Sequence, residues 1–327
     1  MPEPGIKFID AEQVHARLEY TELVEGLRAG HQQDIDLVEH MLLEQPDISG
    51  NPTHFLLLPA WQRAQALGVK LVTVFPDNER RATGLPTVQG VYVLFEGTHG
   101  RPVACIDGAA LTLRKTAGDS ALGASYLARA DAQSLLMLGA GALASHLIMA
   151  HVAVRPSIHR VSVWNRTAAR ADEMVRRLNI EGVRVDAIDD LQSAVRDADI
   201  ISCATRATTP LVRGEWLTEG AHLDLVGGYT PDMREADDEA VARSKVFVNS
   251  RRFTVGRCGD ITVPLAAGII SEGDILADHY DLCRGRHPGR ASARDITLFK
   301  NGGGGHLDLM TANFLMTRCA NGDVTAS

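Results

Sequence analysis

The stretch SLLMLGAGALASHLIMAHV, Ser134–Val152, sets the fold. Four apolar residues, Leu135–Leu138, end at a glycine turn, Gly139-Ala-Gly141, and an apolar run of helical length follows. A strand, a tight turn and a helix is the phosphate-cradling unit of a doubly wound sheet. In such a unit Gly139 permits the sharp turn. Gly141 lets backbone N–H groups come close to a pyrophosphate, Ala142 and Leu143 open the helix, and small Ala144 allows close helix–strand packing. The helix N-terminus adds partial positive charge where the anion would sit. Ser134–Val154 carries no Asp, Glu, Lys or Arg over about a membrane-spanning length. The two glycines, with His146 and His151 inside it, favour strand–turn–helix over a span.

Outward from this unit, short apolar segments alternate with helical ones. Strands are expected at Ser134–Leu138, Arg160–Trp164, Arg184–Ala187, Ile200–Ala204, His222–Val226 and Val246–Asn249. Helices are expected at 142–154, 167–178, 189–196 and 235–243. That rhythm predicts a parallel sheet covered on both faces. The residues before it read differently. Asp10 with Gln13 forms a capping box ahead of helical patterning. Four strands follow, at His54–Trp61, Leu67–Phe75, Thr87–Glu96 and Arg101–Ile106, the last two joined as a hairpin through Thr98-His-Gly100. A long helix is expected over Ala109–Ala128, and another from Leu307 to about Thr317. The fold class is therefore α/β. A Rossmann dinucleotide-binding domain (131–300) is inserted in an α+β substrate-binding and dimerisation domain (1–130, completed by 301–327).

The end of the second strand reads the cofactor. NAD sites place Asp or Glu about 20 residues after the glycines, to accept from the ribose 2′-hydroxyl. Here the positions are Asn165-Arg166-Thr167, with no carboxylate. A guanidinium can pair with a 2′-phosphate that a carboxylate would repel, and Asn and Thr add hydrogen bonds. The expected cofactor is NADP(H). Ala204 and Thr205, after Cys203, and Val226 and Gly227 lie at later strand ends, where ligands of such sheets bind.

With 327 residues the chain suits two domains, and its 45% hydrophobic content can bury a core without disulfides. A net charge of −8 argues against nucleic-acid or acidic-membrane partners. The five cysteines are odd in number and never spaced C-x-x-C, so reduced thiols in the cytoplasm are expected. MPEPGIKFIDAEQ lacks the basic-then-apolar order of a secretory signal. The histidines are dispersed, and no metal site is expected.

Several segments together resemble the ornithine cyclodeaminase/mu-crystallin family. They are Gly68-Val-Lys70-Leu-Val-Thr-Val-Phe-Pro76, Gly84-Leu-Pro-Thr-Val-Gln-Gly90, Asp107-Gly108 with Leu111-Thr112, the glycine turn, Gly289-Arg290, Asp295-Ile-Thr-Leu-Phe299 and Asp308. The resemblance implies a homodimer in which a split substrate domain flanks the Rossmann domain. It makes Lys70 the active-site lysine, beside a substrate carboxylate or imine. Lys115, with Arg114 before it, stands where the family usually has an arginine. It would offer a point charge to a carboxylate in place of a bidentate fork. Thr116 is expected near the cofactor, and Asp308, after Gly302–Gly305, near an imine nitrogen. The early arginine of many members has no clear equivalent, and His54 is a loose replacement.

Cyclodeaminases of the family carry aspartate where Tyr229 stands, and a tyrosine, with a pKa near ~10, is a poor base. Asp232 follows three residues on. Loss of that aspartate and a 2′-phosphate-reading strand both favour net NADPH-dependent reduction, as in the family's ketimine-reducing members. The expected substrate is a cyclic ketimine carboxylate, Δ1-pyrroline-2-carboxylate reduced to L-proline, with the piperideine-to-pipecolate analogue alongside. Ornithine cyclodeamination, amino-acid dehydrogenation and non-enzymatic NADPH binding of the mu-crystallin kind stay open at this point.

Overall fold

Strict alternation governs the early strands: Leu58, Lys70, Tyr92 and Ile106 stand opposite one another on one sheet face, and Leu57, Leu71 and Val91 on the other. The computed structural model describes residues 5–46, 50–80 and 84–324. Two compact units divide it. One holds the described residues up to Lys115 and those from Gly304 onward, and the other is Thr116–Gly303. The expected domain edge at 130/131 lies past the helix in which the first division falls.

The first unit contains β1 (Lys7–Ile9), α1 (Ala11–Arg17), α2 (Tyr20–Gln32), β2 (Met41–Pro46), β3 (Pro52–Gln62), β4 (Ala66–Val74), β5 (Val88–Glu96), β6 (Pro102–Asp107) and the start of α3 (Gly108–Leu127). The sheet order is β1-β6-β5-β4-β3-β2. Only β1 pairs in parallel; the remaining pairs are antiparallel, and β5–β6 is the expected hairpin. Asp10 and Gln13 do cap α1, with Gln13 N–H donating to Asp10 at 2.9 Å and Asp10 N–H to Gln13 at 3.3 Å. Neither β1 nor β2 was expected. A three-residue strand shows no period, and Met41-Leu-Leu-Glu-Gln-Pro46 does not alternate.

The sheet's inner face buries Ala60, Lys70, Tyr92, Leu94, Ala104 and Ile106. The C-terminal helix Gly305–Val324 lies against β3, β4 and α2, burying Leu307, Met310 and Leu315. It begins before the expected Leu307 and runs beyond Thr317. The outer face is also apolar. Leu57, Val69, Leu71, Val91, Val93 and Phe95 are only half-buried, and Phe55 and Trp61 are exposed.

The second unit contains β7 (Ser134–Leu138), α4 (Ala142–Val154), β8 (Arg160–Trp164), α5 (Ala168–Arg177), β9 (Arg184–Ala187), α6 (Leu191–Asp197), β10 (Ile200–Cys203), β11 (His222–Leu225), α7 (Asp238–Arg243), β12 (Lys245–Val248), α8 (Arg251–Thr254), α9 (Gly259–Ala266), β13 (Ile275–Asp278), α10 (His279–Cys283) and β14 (Thr297–Lys300). All its pairs are parallel, in the order β13-β12-β14-β11-β10-β7-β8-β9. The Rossmann architecture read from the sequence is present, and all six expected strands lie in this sheet. β13 and β14 join them. Strand order reverses between β7 and β10, the switch point at whose carboxyl ends such sheets bind ligands. Strands β7, β10, β11 and β14 are buried at every position.

That burial extends to polar residues. Asp224 accepts hydrogen bonds from Ser120 Oγ at 2.9 Å and Ser202 Oγ at 2.7 Å, and lies 3.1 Å from His151 Nε2. Burial alone would raise its pKa, but these partners outweigh it and hold the carboxyl below its ordinary value. Among the described residues no helix is long and apolar enough to cross a membrane, and Ser134–Val154 is β7, a turn and α4.

Candidate active site

In the first unit, Lys70 on β4 projects from the inner face, Lys115 from α3 and Asp308 from the first turn of the C-terminal helix. All three are buried. Lys70 Nζ lies 3.1 Å from Asp308 Oδ1, and Lys115 Nζ 2.9 Å from Oδ2. Lys115 also donates to the Gly304 carbonyl at 3.1 Å, and Lys70 to Thr112 Oγ1 at 3.4 Å. Two ammonium groups thus share one carboxylate. With all three ionised the buried cluster carries net positive charge, which a second carboxylate would complement. Burial lowers the Lys115 pKa to about 8; Asp308 opposes that shift and Lys70 adds to it.

Tyr92, opposite Lys70 on β5, is a further polar group here that sequence reasoning passed over. Its hydroxyl is buried without a hydrogen-bond partner among the described residues. Burial, with the nearby Asp308 charge, pushes its pKa well above the ordinary value, so the phenol keeps its proton. The inward parity it shares with Lys70 was the available signal. Arg114 is not brought to this cluster. Its guanidinium donates to the His15 carbonyl at 2.9 Å and stacks over the Tyr20 ring at 4.5 Å. His54 pairs with Glu44 at 2.9 Å on the outermost strand pair.

In the second unit the glycine turn sits at the switch point. Gly139 has φ +108°, and a Cβ there would lie 2.6 Å from the Ala204 carbonyl oxygen. The turn therefore requires glycine. Its N–H donates to the Trp164 carbonyl at 2.8 Å. Gly141 caps α4, and a Cβ there would stand in open space. The cleft at this point is lined by the turn residues Ala140, Gly141 and Ala142, by Ser145 and Arg170, and by Arg177 in an ion pair with Glu173. Orphan N–H groups of the first helical turn and an open approach, with Arg170 alongside, fit a pyrophosphate-bearing dinucleotide.

Asn165 ties the turn to the second strand: its Oδ1 accepts from Ala140 N–H at 3.2 Å, and its Nδ2 donates to the Thr167 carbonyl at 2.9 Å. Arg166 and Thr167 are exposed, with Thr167 at the N-cap position of α5. Leu143 is half-buried behind the turn, and Thr116, also half-buried, accepts at its carbonyl from Asn301 Nδ2 at 3.1 Å.

At the ends of β10 and β11 the expected loops are linked by a residue that was not anticipated. Glu235 Oε1 accepts from Thr205 N–H at 2.7 Å and Thr205 Oγ1 at 2.8 Å, and Oε2 accepts from Gly227 N–H at 2.7 Å. Ala204 N–H donates to the Leu138 carbonyl at 2.9 Å, and Val226 N–H to that of Cys203 at 2.8 Å. Behind Glu235, Asp260 accepts from Glu235 N–H at 2.7 Å and from Lys300 Nζ at 3.0 Å. Burial pushes the Glu235 pKa up to about 7, with the Lys300 charge opposing. An acid in a turn before a helix reads as a solvated cap, so the sequence offered no signal for it. Tyr229, 61% exposed, follows on the β11 loop, and Asp232 accepts from Thr230 Oγ1 at 2.6 Å. Buried His279 Nδ1 lies 2.8 Å from Asp119 Oδ1.

A doubly wound parallel sheet with a glycine turn at its switch point, in a chain that also builds a Lys–Asp–Lys cluster, defines a two-unit protein of the Rossmann type. The chain belongs to the ornithine cyclodeaminase/mu-crystallin family, which it matches over residues 12–323. It is 42% identical over 312 residues to a Delta(1)-pyrroline-2-carboxylate reductase of Paracoccus denitrificans, covering 94% of this chain and 96% of that one. It is 39% identical over 323 residues to Protein SAR DEFICIENT 4 of Arabidopsis thaliana, covering 95% and 98%. Among solved structures, the Thermococcus litoralis Delta(1)-pyrroline-2-carboxylate reductase in complex with NADH and L-proline superposes with a TM-score of 0.86. It is 28% identical, over 97% of this chain and 98% of that one.

Replacing Asp308 by Asn leaves two buried ammonium groups without their shared counter-charge. The expected cost is about 3–5 kcal/mol, read by urea unfolding. A loss below about 1 kcal/mol would mean that the lysines are neutral or hydrated in the folded protein.

Proposed function

We propose that this protein is an oxidoreductase that reduces a cyclic ketimine carboxylate with NADPH. The substrate is Δ1-pyrroline-2-carboxylate, giving L-proline; Δ1-piperideine-2-carboxylate, giving L-pipecolate, is the six-membered counterpart. The observation that carries this reading is the buried pair of ammonium groups on one carboxylate, which leaves a positive charge for the carboxylate of a small substrate. The names of the Paracoccus and Thermococcus relatives support the same chemistry.

Lys70 and Lys115 hold the substrate carboxylate, and Asp308 keeps both ammonium groups in place and faces the imine nitrogen. Arg114, engaged with His15 and Tyr20, is left out of this clamp. NADPH, when bound, supplies the hydride for the C=N carbon, while the ring nitrogen takes up one proton, which balances the reaction. Gly139, Gly141, Ala142 and Leu143 cradle the pyrophosphate. Thr116, Ala204, Thr205, Val226 and Gly227 serve the remainder of the cofactor. Asn165 orders the turn, while Arg166 and Thr167 receive the 2′-phosphate. Tyr229, in place of an aspartate, disfavours amine release from ornithine. The free cysteines suit a cytoplasmic setting.

The outer face of the first sheet supports a homodimer. Its apolar side chains from Leu57 to Phe95 form a contiguous half-exposed surface, the kind that marks an association site, and a second copy would cover it with the same face.

Purified protein is expected to oxidise NADPH with Δ1-pyrroline-2-carboxylate and not with pyruvate plus ammonia, and to release no ammonia from ornithine. Absence of oxidation with either cyclic imine removes the proposal. KM for the imino acid should rise as pH climbs through about 8, because Lys115 then loses its proton and the clamp one of its charges. Lys115→Met should raise KM at lower pH and flatten that rise; a pH-independent wild-type KM would contradict the clamp. Arg166→Ala should weaken NADPH roughly tenfold or more, as loss of a charge-assisted bond implies, and leave NADH nearly unchanged. Equal losses would reassign the cofactor to NADH, which the Thermococcus relative binds. Val93→Glu should yield monomers in analytical ultracentrifugation; a persisting dimer would place the contact elsewhere.

A further inference from the structure

Three groups at the carboxyl end of the parallel sheet are fully buried and untouched by the chemistry proposed above: Glu235, Asp260 and Lys300. They come from the loop ahead of α7, from α9 and from the last residue of β14. Lys300 Nζ donates to Asp260 Oδ2 at 3.0 Å, and Asp260 Oδ1 receives Glu235 N–H at 2.7 Å. The Glu235 side chain then reaches the two loops that follow β10 and β11. It takes Thr205 N–H and Oγ1 on one oxygen and Gly227 N–H on the other. Each of the four carboxylate oxygens receives a donor, which is what a buried carboxylate needs to remain in such a place.

The loops being held are crowded. A Cβ at Gly227 would collide with the Thr205 backbone, and the Ala204 carbonyl abuts Gly139 of the phosphate turn. Backbone bonds from Ala204 N–H to Leu138 and from Val226 and Gly227 N–H to Cys203 start the two loops side by side, and the Glu235 side chain adds the bridge between Thr205 and Gly227 from behind the ligand-binding edge.

We propose that Glu235 is a positioning residue for the nicotinamide end of the cofactor, acting by clasping Thr205 and Gly227 at a fixed spacing. This rests on the cofactor reading given above. Glu235 is fully buried behind these loops and acts by setting the floor on which the ring is oriented for hydride transfer. A misplacement of about 1 Å in such a floor is enough for a large loss of rate. The phosphate and ribose contacts proposed at Gly141 and Arg166, which follow β7 and β8, are expected to survive its loss.

Glu235→Gln keeps the shape of the side chain and replaces one acceptor oxygen with a donor. In the cofactor-free protein, the Thr205 and Gly227 amides should exchange with deuterium at least tenfold faster than in wild type, while amides of β7 and α4 keep their protection. NADPH affinity by fluorescence titration should change less than about threefold, while single-turnover hydride transfer, and hence kcat, falls at least thirtyfold. Unchanged exchange at the two amides, or unchanged hydride transfer, overturns the proposal. So does a loss that appears equally in exchange throughout the unit, in NADPH affinity and in rate, because that is general destabilisation. If Glu235→Gln does not fold, Glu235→Asp keeps the charge and shortens the clasp by one methylene. It should produce a smaller change of the same kind in kcat with KM for NADPH preserved; no change overturns the proposal. The exchange measurement needs neither cofactor nor substrate, so failure of the clasp is distinguishable from failure of the ketimine-reductase reading.

Discussion

One carboxylate between two ammonium groups fixes the layout of the first unit. Asp308 is separated from Lys70 by most of the chain, yet both lie on one buried inner face with Lys115. An isolated buried lysine would be neutralised or expelled, so the C-terminal helix must return to the sheet it left. Residues 116–303 then form a long excursion between the two halves of a single polar cluster. The imbalance of charge that remains gives the cluster its proposed use. A perfectly neutral pair would close the sheet equally well and have nothing to offer a substrate.

The second unit meets the same demand differently. Its parallel sheet is covered on both faces, so every polar group inside it must be answered from within. Asp224 is answered by two hydroxyls and an imidazole, and Asp260 by Lys300 and a backbone amide. Each cluster bridges elements distant in sequence, and each is anchored on a strand of the sheet. Such clusters cost desolvation and return geometric definition, which is of most use at strand ends where loops would otherwise wander.

What the sequence discloses follows the range over which its signals act. The glycine turn and the strand–helix alternation are local, and the structure has them; Lys70 was singled out by family resemblance, and its burial comes from the sheet and the C-terminal helix. Strands β13 and β14 escaped notice because they sit among short helices and turns, with no clean period to mark them. Arg114 and Lys115 are neighbours in sequence and equally cationic. Their helical phase sends one guanidinium to Tyr20 and the other side chain to Asp308, a difference that residue type alone does not reveal. Glu235 was invisible for the opposite reason. Ahead of a helix, an acid reads as a solvated cap, and only the packing of β10 against β11 buries it.

Asn165 divides the labour at the end of β8. Both ends of its amide are engaged, one with the glycine turn and one with Thr167, so it belongs to the scaffold. Arg166 beside it is exposed and carries no part of the fold. The position that would read the ribose is thereby uncoupled from the position that builds the turn. On the proposed cofactor reading, changing this one surface side chain would alter which dinucleotide is preferred and leave intact the turn that Asn165 builds.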